Sequence, residues 1–236
     1  PMKELIGTGV ALITPFKDDY SIDFDALTRI VEQQITGGTN YLVVLGTTGE
    51  SAVLSSDEKT AVIDCIKTAN AGRLPLVLGI GGNNTAEVCH LMQTTDVSGF
   101  CAILSVSPYY NKPNQEGIYQ HYKSLCEVTP LPIIIYNVPG RTGMNMTAET
   151  QLRLAELPQV VATKEASGNI EQVMQIIAKS SPMNWGLNAF YDIKMESGTL
   201  TPSVKVQYSH NFDGDISQNM YFSNLGATSQ NFNIST

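Results

Sequence analysis

One lysine in this chain stands where it could act as a nucleophile. In Val160-Val161-Ala162-Thr163-Lys164-Glu165-Ala166-Ser167-Gly168-Asn169 an apolar run delivers Lys164 to its end, and Ser-Gly-Asn then turns the chain into Ile170-Glu171-Gln172-Val173. That pattern reads as a strand, a turn and a helix, the unit with which a parallel α/β barrel presents reactive side chains at strand ends. Apolar neighbours disfavour the ammonium, so a lysine there can attack a carbonyl as a neutral amine. The same residue could also run its stem along the wall and leave its head in water.

Further along the chain, other polar residues close apolar runs in the same way. Gly46-Thr47-Thr48-Gly49-Glu50-Ser51 follows Tyr41-Leu42-Val43-Val44-Leu45, and its glycine-flanked amides could converge on an anion. Ser107-Pro108-Tyr109-Tyr110-Asn111-Lys112-Pro113 follows Cys101–Val106, and Tyr136-Asn137-Val138-Pro139-Gly140-Arg141-Thr142-Gly143 closes Pro132–Tyr136. A tyrosine can pass protons, and an arginine offers a planar, two-pronged grip on a carboxylate. Taken singly, GTTGE is an ordinary turn, Tyr109-Tyr110 a packing pair and Arg141 a surface cation.

The elements that must position these groups alternate regularly. Gly9–Phe16 reads as a first strand, and Phe24, Leu27, Ile30, Val31 and Ile35 repeat at helical spacing until Gly37-Gly38. Ser55 with Glu58 makes a capping box ahead of Val62, Ile63 and Ile66. Leu76–Ile80 is a third strand, and Asn84 or Thr85 opens the next helix. A helix through Tyr119 and Tyr122 and one capped by Thr147 complete six βα units of roughly thirty residues each. Strands apolar throughout indicate a parallel sheet covered on both faces. The first strand is not followed by GxGxxG, which argues against an open dinucleotide-binding sheet.

The four loop motifs together closely resemble dihydrodipicolinate synthase (4-hydroxy-tetrahydrodipicolinate synthase) over roughly residues 5 to 180. The resemblance implies a (β/α)8 TIM barrel of the class I aldolase type, without cofactor or metal. It implies that Lys164 forms a Schiff base with pyruvate, and that the enamine condenses with L-aspartate 4-semialdehyde in lysine and diaminopimelate biosynthesis. It makes Tyr136 the acid–base tyrosine, with Thr47 and Tyr110 completing its proton relay and Tyr110 arriving from a neighbouring subunit of a dimer of dimers. Gly46, Thr47 and Thr48 would hold the pyruvate carboxylate, and Arg141 that of the aldehyde. Sister families such as N-acetylneuraminate lyase share the lysine and the tyrosine but typically lack the threonine pair, the PYYN run and this arginine. Asn83, Glu87 and Tyr109 match a lysine-effector site, whereas Ser56 and Lys59 replace histidines of strongly inhibited members.

Composition sets the remaining expectations. The chain has 236 residues, 42% of them hydrophobic, enough for one large α/β domain. A net charge of −8 with no basic cluster argues against nucleic acid and anionic membranes as partners. Cys65, Cys89, Cys101 and Cys126 lack metal-ligand spacing and read as reduced thiols. Residues 1–181 carry no membrane-length apolar run, and the start lacks the apolar stretch of a signal peptide, so cytoplasm is expected.

After about Ser181 the pattern changes. Pro182–Phe190 reads as a seventh strand, and Ser203–Ser209 alternates with period two. The stretch between them is too short for a crossover helix, which predicts an irregular or antiparallel continuation. Residues 200–236 bear a weak resemblance to the last strands of an outer-membrane autotransporter barrel. The last two βα units and C-terminal helices of the family are therefore expected to be missing or replaced, dividing the chain into barrel units at 1–181 and a divergent segment at 182–236. A second reading follows, an impaired incomplete barrel fused to an unrelated β segment.

Overall fold

A computed structural model describes residues 3–180, and beyond them only the backbone of the strands named below. A short turn at Lys3–Leu5 precedes the first unit. The parallel strands are β1 (Gly9–Ala11), β2 (Tyr41–Val44), β3 (Leu76–Gly79), β4 (Ala102–Val106), β5 (Ile133–Asn137) and β6 (Val160–Glu165), each paired with the next. Between and after them run α1 (Phe24–Thr36), α2 (Ser56–Asn70), α3 (Thr85–Thr94), α4 (Gln115–Val128), the single turn α5 (Pro139–Thr142), α6 (Ala148–Leu154) and α7 (Ile170–Lys179).

Strand alternation sorts the side chains into two cores. Leu42, Val44, Leu76, Leu78, Ile103, Ile133 and Ile135 pack under the helices against Leu27, Val31, Val62, Ile66, Val88, Met92, Ile118, Tyr122 and Leu125. Tyr41, Val43, Val77, Ala102, Leu104, Ile134 and Tyr136 form a second cluster on the opposite face. Burial on both faces is the reason these strands carry no polar alternation.

The helix starts are side-chain capped. Asp23, Asn84, Asn114, Thr147 and Asn169 each accept from a first-turn amide, and Ser55 with Glu58 closes the full capping box expected of it. Each such cap contributes about 1 kcal/mol. Asn84 rather than Thr85 takes the cap of α3, because its oxygen reaches the Glu87 amide. β1 is shorter than the apolar run suggested. Past Ala11 the chain leaves the sheet, and Thr14 donates its hydroxyl to the Gly49 carbonyl at 2.7 Å. The Pro-Gly-Arg-Thr stretch is one helical turn rather than an open loop, with Pro139 at its first position.

Beyond α7, β7 (Gly186–Phe190) lies parallel to β6. A hairpin of β8 (Ile193–Met195) and β9 (Gly198–Leu200) follows. β10 (Ser203–Gln207) then runs antiparallel to β7, and β11 (Asn219–Phe222) antiparallel to β10. A parallel return from β7 needs a crossover of a dozen or more residues, and the connection is spent on a hairpin instead. The side chains of this segment and the stretches between its strands, including most of Asn211–Thr236, lie outside the described residues. Among those residues no helix is long and apolar enough to cross a membrane, and no group of His, Cys, Asp and Glu is arranged to hold a metal.

Candidate active site at the ends of β5 and β6

β5 and β6 bring two of the expected residues together. Tyr136 and Lys164 are register partners, and the Lys164 ammonium nitrogen lies 4.4 Å from the centre of the Tyr136 ring. Tyr136 is 6% exposed and Lys164 half-buried, so the amine sits over an aromatic face at the C-terminal end of the sheet. The buried hydroxyl of Tyr122 supports this pair from below. It donates to the Ser105 carbonyl at 2.8 Å and accepts from the Tyr136 amide at 3.4 Å. Burial pushes its pKa up, which keeps it a neutral donor.

The threonine pair follows β2 on a tight turn, Thr47–Gly49, preceded by buried Gly46. Both threonines face solvent, and the Thr14 hydroxyl ties the turn's Gly49 to the loop after β1. Gly79, at the end of β3, makes room for this loop. A β-carbon there would stand 2.3 Å from the Leu45 carbonyl oxygen, so only glycine fits.

The loop after β4 places Tyr109 and Tyr110 outward, 38% and 85% exposed. Tyr110 has φ +67°, in the left-handed region that residues other than glycine rarely adopt. Asn111 donates to the Asn83 carbonyl at 3.4 Å, linking this loop to the stretch from the end of β3 into α3 that carries two candidate effector residues. Of those, Asn83 is half-buried and Glu87 exposed in the first turn of α3. Arg141 is exposed on α5, and the Lys112 stem crosses Gly143 at the end of that turn. The residues thus fall into a half-buried amine–ring pair and an outer set of exposed groups on the loops.

A buried polar cluster behind the pair had no place among the sequence candidates. Glu165, 2% exposed, accepts from Asn137 Nδ2 at 2.9 and 3.0 Å, Gln151 Nε2 at 2.5 Å, Gln172 Nε2 at 2.9 Å and the Ser167 amide at 2.9 Å. Thr163 donates to Gln151 Oε1 at 2.7 Å, and Asn137 Oδ1 accepts from the Met146 amide at 2.9 Å. The visible signal was a polar residue at alternate positions, Thr163 and Glu165, in an otherwise apolar strand. By contrast His121 is a core residue. Its Nδ1 lies 2.8 Å from the Thr85 hydroxyl, and burial pushes its pKa down to about 4. The four cysteines are free thiols, as expected, and burial pushes Cys101 and Cys126 up to about 11.

Parallel βα units carrying polar groups at their strand ends define the (β/α)8-barrel class. Residues 4–230 match the model of the dihydrodipicolinate synthetase family, and the chain belongs to that family. It is 62% identical over 177 residues to the 4-hydroxy-tetrahydrodipicolinate synthase of Flavobacterium psychrophilum, an alignment covering 75% of this chain and 60% of the relative. It superposes with a TM-score of 0.71 at 43% identity on the chloride-inhibited dihydrodipicolinate synthase of Acinetobacter baumannii complexed with pyruvate, covering 76% of this chain and 62% of that one. A lysine-bound enzyme from Cyanidioschyzon merolae matches with a TM-score of 0.70 at 39% identity, over 76% of this chain and 62% of the other. The chain spans about three fifths of the length of the curated relatives it matches.

Proposed function

We propose that this chain carries the pyruvate-activating machinery of a 4-hydroxy-tetrahydrodipicolinate synthase, with Lys164 as the imine-forming amine. The observation that carries the reading is the pairing of Lys164 with Tyr136 at the strand ends. The neutral amine adds to the ketone of pyruvate, water leaves, and the protonated imine draws electrons from the methyl group. Loss of a methyl proton gives an enamine that attacks the aldehyde of L-aspartate 4-semialdehyde, and ring closure displaces the lysine. Tyr136 moves the protons at nitrogen and at the aldehyde oxygen, helped by Thr47 and by Tyr110 of a neighbouring subunit.

Gly46, Thr47 and Thr48 receive the pyruvate carboxylate, since the first amides of a helical turn lack acceptors within it. Arg141 receives the carboxylate of the second substrate. Lysine acts as effector at Asn83, Glu87 and Tyr109, a reading supported by the hydrogen bond from Asn111, beside Tyr109, to Asn83 and by the lysine-bound relative. The working form is a homo-oligomer in the cytoplasm.

Borohydride added with pyruvate, followed by intact mass and peptide mapping, tests the chemistry. One reduced adduct on Lys164 is expected, and no adduct, or one on another lysine, would remove the reading. Arg141→Ala should leave trapping intact and lower turnover with the aldehyde by on the order of 100-fold, the cost of a lost charged partner. Equal loss of both would assign Arg141 to the fold.

A further inference from the structure

The register between β5 and β6 changes once. Ile133 pairs with Val160, but Ile134 pairs with Ala162, so Val161 is an extra residue in β6. Val160 belongs to the core under the helices, whereas Val161 and Ala162 both pack against the cluster on the opposite face. Alternation then resumes. Thr163 and Glu165 bond to the glutamines of α6 and α7, and Lys164 lies over the Tyr136 ring. Without the extra residue, strict alternation from Val160 would turn Lys164 under the helices, because a one-residue slip exchanges the two faces.

We propose that Glu165 is a positioning residue for Lys164, holding β6 in the bulged register through its hydrogen bonds to Asn137, Gln151 and Gln172. The inference rests on the reading of Lys164 as the imine-forming amine. Asn137 and Glu165 are themselves register partners, one step beyond Tyr136 and Lys164. Their hydrogen bonds therefore clamp the back of the same two dipeptides whose front holds the amine and the ring. A bulge leaves one residue unpaired in the ladder, so it persists only where neighbouring contacts select it. The carboxylate does so by meeting four neutral donors from two strands' ends and two helices. In the slipped register it would leave that face, and the donors would be buried without an acceptor.

Dibromobimane, which joins thiols a short reach apart, reads the register directly. In a chain carrying Tyr136→Cys and Lys164→Cys, the crosslink located by peptide mass should form readily. Adding Glu165→Ala should lower its yield per folded molecule at least tenfold, with a Tyr136→Cys, Thr163→Cys pair gaining in that background. In the otherwise unaltered chain, Glu165→Ala and Asn137→Ser should lower the pyruvate–borohydride adduct at Lys164 by a similar factor. Thr163→Val, which cuts a bond to the same Gln151 but spares the carboxylate, should stay within twofold. If Glu165→Ala loses its cooperative transition, Glu165→Gln and Asn137→Ser carry the same comparison. An unchanged crosslink, or losses that merely follow the folded fraction, would overturn the proposal. Failure of the unaltered chain to trap pyruvate would remove the proposed chemistry and leave the crosslink comparison standing.

Discussion

The two faces of the β5–β6 end are built on opposite plans. On one, half-buried Lys164 lies over the Tyr136 ring. On the other, one step along both strands, Glu165 is buried and saturated by amides of Asn137, Gln151 and Gln172. A reacting amine must stay within reach of a substrate, whereas a carboxylate that holds strands in place is best enclosed by its donors. Placing the two on adjacent residues lets one strand serve both, because successive side chains leave a sheet in opposite directions.

Variants at each face separate the two plans. Lys164→Ala should abolish pyruvate trapping while moving stability by no more than about 1 kcal/mol, as for a partly exposed side chain; a cooperative transition lost with the adduct would make the front face structural as well. Tyr136→Phe keeps the ring and removes the hydroxyl, so trapping should slow by about 100- to 10,000-fold in a chain that still unfolds cooperatively. On the back face, Gln151→Leu leaves Glu165 and Thr163 each one partner short and should cost about 2–4 kcal/mol in a denaturant titration. A change below roughly 0.5 kcal/mol would mean that neighbouring amides or water replace it.

The smallest effect concerns His121, a buried polar group on α4 outside this cluster. Its folded pKa is depressed from 6.5 to about 4 by burial. The unfolded chain therefore binds a proton that the folded chain refuses, and stability should fall as pH drops from about 6.5 to about 4, then level off. The loss is on the order of 1–3 kcal/mol, and His121→Gln should flatten that part of the pH profile. A slope that survives the substitution would assign the acid sensitivity to other groups.

Local chemistry made much of the fold legible. Continuous apolar strands, Ser55 with Glu58, and the polar caps at Asn84, Thr147 and Asn169 act within a few residues, so the six units and their helix starts could be read along the chain. The residues of the loop motifs were legible for the same reason, and the family match bears out the barrel class they implied. The short turn α5 was less so, since Pro-Gly-Arg-Thr carries turn and helix signals alike.

What the sequence determined alone was the presence of a lysine at the end of the sixth strand. Which way it points was decided by tertiary structure. Read with strict alternation from Val160, Lys164 belongs on the helix side, and nothing within Val160–Glu165 marks Val161 as the extra residue. The bulge is selected by residues 14 and 28 positions away, Gln151 and Asn137, which meet Glu165 only after β5, α6 and β6 have packed. A strand's period is a local property, but its phase is set by its partners.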